Sequence, residues 1–423
     1  MRVHRVVIGL VAGLIVGSIL GAWPGDVASG VVAFFNPIGQ LWVNAIRMTV
    51  VPLVVSLLFV AIASRGASEG LGRLTLVTIA TFFALLVFAA VVALTLVPPL
   101  MADMKLSPEM AAALRSSANA GASGAKSQVA QLPGFSSWIT GLIPANVIKA
   151  AADGAMLPLI AFAFLFALAA RHIEPPLRQS LVDFFSAVAG AMTRLVEWII
   201  AVAPIGVFAL VLVAASKVGL ALAGAMAYYV IAMALVLVLF TLLMYPVAAM
   251  RGRVPIGAFS RGVFPAQAVA LSSSSSLASL PALVEGSRRL EMPAEVSGFV
   301  LPLAVSTFKV ATPITWLVGI AFLARLYGVT LSTSSLVAVA FTSVVLSLTL
   351  PGVPQGAVLL IAPMLSTYGI PAEGVALLIA ADTIPDLFGT MTNVTADLVA
   401  GAVVGRQAVA ESVPETAFSP NAS

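Results

Sequence analysis

Residues 377–404 read LLIAADTIPDLFGTMTNVTADLVAGAVV, an apolar run interrupted by Asp382, Asp386 and Asp397. At 100° per residue these aspartates share one helical face with Gly389, Thr390 and Asn393. On a membrane-spanning helix such a stripe is excluded from lipid, since each carboxylate at the bilayer centre costs at least ~2.5 kcal/mol. The stripe must line a cavity, hold a cation or meet a buried partner.

The rest of the chain agrees that the solvent is lipid. Of its 423 residues 61% are hydrophobic and 9% charged, with a mean hydropathy of +1.10. A soluble protein carries about a quarter charged residues. The chain is therefore read as an all-α polytopic membrane protein in the lipid bilayer. Its basic balance is not a nucleic-acid signal, because the basic residues cluster at span ends where topology requires them. Zero cysteines exclude disulfides, thiolate metal sites and cysteine nucleophiles. The two histidines, His4 and His172, lie in polar flanks, leaving no histidine metal cluster and no Ser-His-Asp triad. No enzyme and no cofactor is expected. The basic, apolar N-terminus lacks a clear small-residue cleavage site and is read as the first span.

Span lengths and breaks predict eight transmembrane helices, near residues 6–20, 38–63, 74–97, 143–170, 181–215, 220–249, 300–323 and 377–404. The fifth is too long to cross once without tilting or projecting. Residues 101–134, rich in Ala, Ser and Gly, are expected to form a flexible external loop. Two further segments have another plan. Residues 264–283, FPAQAVALSSSSSLASLPAL, place a serine run between two short apolar arms; residues 341–364 place PGVPQGA between FTSVVLSLTL and VLLIAPM. No arm is long enough to span, so both predict re-entrant helical hairpins. Broken segments in corresponding halves of a chain point to a transporter binding site. Lysine and arginine placement puts both termini in the cytoplasm, with an inner (cell) membrane location. Arg47, Arg194 and Lys309 fall inside spans; the two arginines are assigned to packing or headgroup contacts.

This ordered set resembles the dicarboxylate/amino acid:cation symporter family, which includes excitatory amino-acid transporters and their prokaryotic homologues. The resemblance is carried by FNPIGQLWVNAIRMTVVPLVV in span two, APIGVFAL in span five, the serine-rich hairpin, LPLAVST opening span seven, PGVPQGA, and TMTNVTAD in the last span. It implies the glutamate-transporter fold, a homotrimer and an elevator mechanism. The implied scaffold comprises 1–70 and 143–217. The implied mobile transport domain comprises 71–100 and 218–405, including hairpins 257–293 and 336–370. An external loop at 101–142 and a cytoplasmic tail at 406–423 complete the division.

By the same resemblance, Asp386 meets the substrate ammonium and Asn393 its α-carboxylate. Ser274, Ser275 and Ser276 at the first hairpin tip, Val353 and Pro354 at the second, and Thr312, Gly389 and Thr390 complete the substrate site. Acidic-substrate members carry an arginine where this chain has Gly389, which points to a small-molecule substrate without an acidic side chain. The sodium-coordinating NMDGT of span seven aligns with Phe308-Lys309-Val310-Ala311-Thr312, and oxygen ligands of span three fall near Phe82, Leu85 and Leu86. Asp397 and Asn393 alone are left as relics of a sodium site. Lys309, too deep to snorkel, becomes a candidate tethered cation facing Asp397, Asp386 and Asp382. The expectation is a secondary active carrier of a small amino acid or related carboxylate. Its sodium coupling is weakened or lost, and a proton is the other candidate coupling ion. The alternatives are a proton- or sodium-coupled glutamate/aspartate symporter, and a channel or non-transporting sensor on the same fold.

Overall fold

A computed structural model of the chain describes residues 3–23, 25–63, 70–104, 106–116, 118–119, 140–218, 225–347, 358 and 361–412, and among these every regular element is helical. Six helices are long and apolar enough to cross a membrane: Asp26–Val60, Gly72–Ala102, Pro175–Ala201, Met226–Arg251, Val296–Tyr327 and Ile384–Gln407. The protein is thus a multi-pass membrane protein.

The first helices are α1 (Val3–Ala22), α2 (Asp26–Ala63) and α3 (Gly70–Ala102). The short α4 (Val147–Ala152) and then α5 (Met156–Ala170) precede the fifth predicted span, which is two helices: α6 (Pro175–Ala201) and α7 (Ala203–Val218). The break between them is at Val202, which leaves helical geometry just ahead of Pro204, a residue without an N–H to continue the ladder. The interruption, rather than tilt alone, accommodates the excess length. The Trp42 indole of α2 donates to the Ile199 carbonyl beside this break (3.1 Å).

Helix α1 is held by its glycines. Gly9, Gly13, Gly17 and Gly21 form one four-residue stripe, and a Cβ at each would run into the α7 backbone at Pro204, Phe208, Leu212 and Ser216 respectively. At Gly13 the clash would be 2.7 Å from the Phe208 carbonyl oxygen. Small residues at helical spacing let two membrane helices approach backbone to backbone, where dispersion replaces the hydrophobic effect.

The second half contains α8 (Ala225–Arg251), α9 (Ile256–Ser273), α10 (Ser276–Arg289), α11 (Ala294–Thr307), α12 (Thr312–Tyr327), α13 (Thr333–Ser347), the short α14 (Ala362–Leu365), α15 (Val375–Ala381) and α16 (Thr383–Ser412). Helices α1, α2, α5, α6 and α7 pack among themselves; α3, α8 to α13 and α16 pack among themselves. The two sets meet chiefly where α10 and α11 lie on α2, and also where α9 touches α1 and α7, α10 touches α6 and α11 touches α5.

Several expectations are corrected in detail. Within the expected external loop, residues 108–116 are helical, because Ser107 caps them through the Met110 amide (3.2 Å) and Pro108 and Glu109 suit a first turn. The helix bearing the aspartates runs to Ser412, past the expected start of the tail at 406. The second hairpin tip, with Val353 and Pro354, lies outside the described residues, as does most of the loop between 117 and 139.

Candidate functional site

The serine run folds as the sequence predicts. Helix α9 ends at Ser274, which adopts a left-handed conformation (φ +50°), and Ser275 is extended. Ser275 caps α10 by accepting from the Ala278 amide at 3.1 Å. The polar run is thus a two-residue reversal between apolar arms that pack on each other and on α16. It brings Ser274 to the side chain of Asp386. Ser272 and Ser273 return their hydroxyls to carbonyls of their own helix, which satisfies them in an apolar setting.

Span seven is broken in its middle. Helix α11 stops where Phe308 turns extended, and α12 starts at Thr312 with Pro313 in its first turn. The intervening backbone is secured from α16: the Ala311 amide donates to Asn393 Oδ1 at 2.9 Å. Asn393 therefore anchors the break through its oxygen, while its Nδ2 remains a donor. Thr312 and Thr390 are buried beside it.

Where the resemblance implied oxygen ligands, hydrocarbon is found. Phe82 of α3 and Phe308 are stacked, with ring centroids 4.4 Å apart and planes 3° from parallel. They are 2% and 0% exposed, and Val310, Leu85 and Leu86 are buried as well. No group of three or more His, Cys, Asp or Glu able to hold a metal exists among the described residues.

Lys309 is within electrostatic reach of both Asp397 and Asp386. Its ammonium donates to the Val305 carbonyl, one of the free acceptors at the C-terminal end of α11. Among the described residues the ion pairs are Lys149–Asp153, Arg194–Glu197, Arg288–Glu197, Arg288–Glu285 and Arg289–Glu285; none involves Lys309. Asp397 is 0% exposed, and neither carboxylate oxygen has a hydrogen-bond partner. The lysine is therefore a neighbouring charge, and a direct bridge is not formed in this conformation. Asp382 stands at the junction of α15 and α16, 8% exposed, with Asp386 and Tyr229 of α8 as its electrostatic neighbours. Gly389 is buried, and a Cβ there would meet the Ala311 Cβ at 3.7 Å, an ordinary contact.

A buried polar network escaped the sequence reading. Gln267 of α9 donates to Thr395 Oγ1 at 2.9 Å and to Tyr245 Oη at 3.2 Å. Thr392 and Thr241 bond each other at 2.8 Å. These contacts fix the hairpin arm and α8 against α16. The available signal was polar residues within otherwise apolar arms. Arg194, by contrast, pairs with Glu197 at 2.6 Å on an exposed face, where such a pair contributes little.

The sodium:dicarboxylate symporter family matches residues 3–407. The chain is 27% identical over 402 residues to a proton/glutamate-aspartate symporter of Escherichia coli (strain K12), covering 95% of this chain and 92% of that one. It is 28% identical to a proton/sodium-glutamate symport protein of Bacillus subtilis (strain 168), covering 95% and 91%. A C4-dicarboxylate transport protein of Rhizobium johnstonii (strain DSM 114642 / LMG 32736 / 3841) is 25% identical over 375 residues, covering 88% and 82%.

Proposed function

The chain belongs to the sodium:dicarboxylate symporter family, and we propose that it is a secondary active carrier of a small amino acid or related carboxylate with reduced or absent sodium coupling. The family is one of transporters, not enzymes. In this reading Asp386 takes the substrate ammonium, Asn393 Nδ2 and the Ser274–Ser276 turn take its carboxylate, and Thr312 and Thr390 complete the wall. Gly389 offers no cation for an acidic side chain.

The observation that carries the reading is the dry plug at the span-seven break. Phe308 on Phe82, with Val310 beside it, provides no side-chain oxygen for a sodium ion, which needs a shell of them. Lys309 brings a fixed positive charge to the same place, near Asp397 and Asp386, and acts there as a tethered cation. The homotrimer and the elevator motion belong to this proposal. Most helix contacts fall within each set, with fewer between the two, which is the packing that one set moving against the other would need.

A second reading, a proton-coupled glutamate/aspartate symporter, is favoured by the names of the relatives. A thermal-shift screen of amino acids and dicarboxylates separates the two, with sodium chloride exchanged for potassium chloride. The first reading expects stabilisation by a monocarboxylic amino acid that is unchanged by the salt. Stabilisation by glutamate or aspartate alone, or only in sodium, overturns it.

A further inference from the structure

Three carboxylates on one buried stripe face a single lysine. Lys309 acts on Asp397 and Asp386, and among the described residues Asp382 is left without a cation. From α16 its neighbour is Asp386, from α8 it is the Tyr229 ring and hydroxyl, and neither supplies positive charge. Asp382 is 8% exposed, and no ion pair and no side-chain hydrogen bond from a described residue reaches it. The nearest arginine of α12, Arg325, is held elsewhere, on the Ala102 and Met104 carbonyls. A buried carboxylate without a compensating charge is costly unless it takes a proton or meets a positive group. Gly389, one turn on from Asp386, carries no side chain, and a Cβ there would meet only the Ala311 Cβ, at 3.7 Å.

We propose that Asp382 binds the distal cationic group of the substrate, so that the site takes a basic amino acid. The α-ammonium meets Asp386, and the side-chain ammonium or guanidinium meets Asp382. The two carboxylates are four residues apart, a rise of about 6 Å along the helix, which an ornithine, lysine or arginine side chain can bridge. An acidic distal group would face two like charges, and an aliphatic one would leave Asp382 buried and bare. The inference rests on the amino-acid carrier reading and narrows its substrate class. It departs from the relatives, whose names carry acidic substrates.

The test is counterflow in proteoliposomes with radiolabelled L-lysine, L-ornithine, L-arginine, L-alanine and L-glutamate. The variants are Asp382→Asn and Asp382→Glu, each first checked for a monodisperse gel-filtration peak. The wild type is expected to exchange at least one basic amino acid ~10-fold faster than alanine or glutamate, a ratio worth about 1.4 kcal/mol. Asp382→Asn lowers the basic-to-alanine ratio by a similar factor, and Asp382→Glu retains a basic preference. If the wild type prefers alanine or glutamate, or Asp382→Asn lowers every substrate alike, the proposal is overturned while the carrier reading stands. If no amino acid is exchanged, the amino-acid reading of the carrier fails and takes the proposal with it.

Discussion

Lys309 and Asp397 define what is unusual at the level of single residues. The ammonium rests on a carbonyl at the end of α11, and the carboxylate has no hydrogen bond at all. Removing the lysine leaves Asp397 fully buried with no compensating charge beside it, which is destabilising even though the two form no direct bridge. Lys309→Met should therefore lower the melting temperature in detergent by several degrees. Sodium chloride should recover part of the loss relative to choline chloride, whereas the wild type should not distinguish the salts. A Lys309→Met protein as stable as wild type in both salts would show that the charge has no such role. Phe308→Ala removes a stacked, fully buried ring and should cost about 3–5 kcal/mol, measured by the same melting experiment. The lysine and its aspartates were legible in the sequence as charges in apolar runs. Its contact with Val305 was not, because the acceptor is a carbonyl freed only where the helix breaks.

Secondary-structure elements were legible to the degree that their breaks were chemical. The serine run between short apolar arms announced the first hairpin, and α9 and α10 flank it closely. The division of span five at Val202 was hidden, since Pro204 reads equally as a tolerated proline in a long span. The α1 glycine stripe was also passed over, because in an apolar run length attracts more notice than the spacing of small residues. That stripe makes a direct prediction. Gly13→Leu forces a side chain into the Phe208 backbone and should destabilise the protein by at least about 1–3 kcal/mol through overpacking. Gly30→Ala on α2, where a Cβ meets nothing within 4 Å, should be neutral or stabilising by up to about 1 kcal/mol, the helix propensity gained. Similar effects at both positions would contradict close α1–α7 packing. At the hairpin tip, Ser274→Gly keeps the left-handed backbone that glycine adopts freely but removes the hydroxyl beside Asp386. Ligand affinity should fall with melting temperature kept, as isothermal titration and thermal melting would separate.

At the scale of the whole molecule, composition and the order of broken segments pointed to a membrane carrier, and the match over residues 3–407 places the chain in its family. The composition could not give the interior of the helix set that contains α8, α9 and α16. Gln267, Thr395, Tyr245, Thr241 and Thr392 connect α8, α9 and α16 through contacts up to 151 positions apart in sequence, which a local reading does not see. The molecule that results keeps the helix breaks and the carboxylate stripe while filling the span-three to span-seven contact with stacked rings. In the proposed function a built-in ammonium, Lys309, takes over the work of a transported sodium ion. The most direct measurement is initial uptake of the best thermal-shift ligand into proteoliposomes, with an inward sodium gradient or with equal potassium on both sides. The account predicts rates that agree within about twofold, less than 0.5 kcal/mol. Stimulation by the sodium gradient of tenfold or more would contradict it.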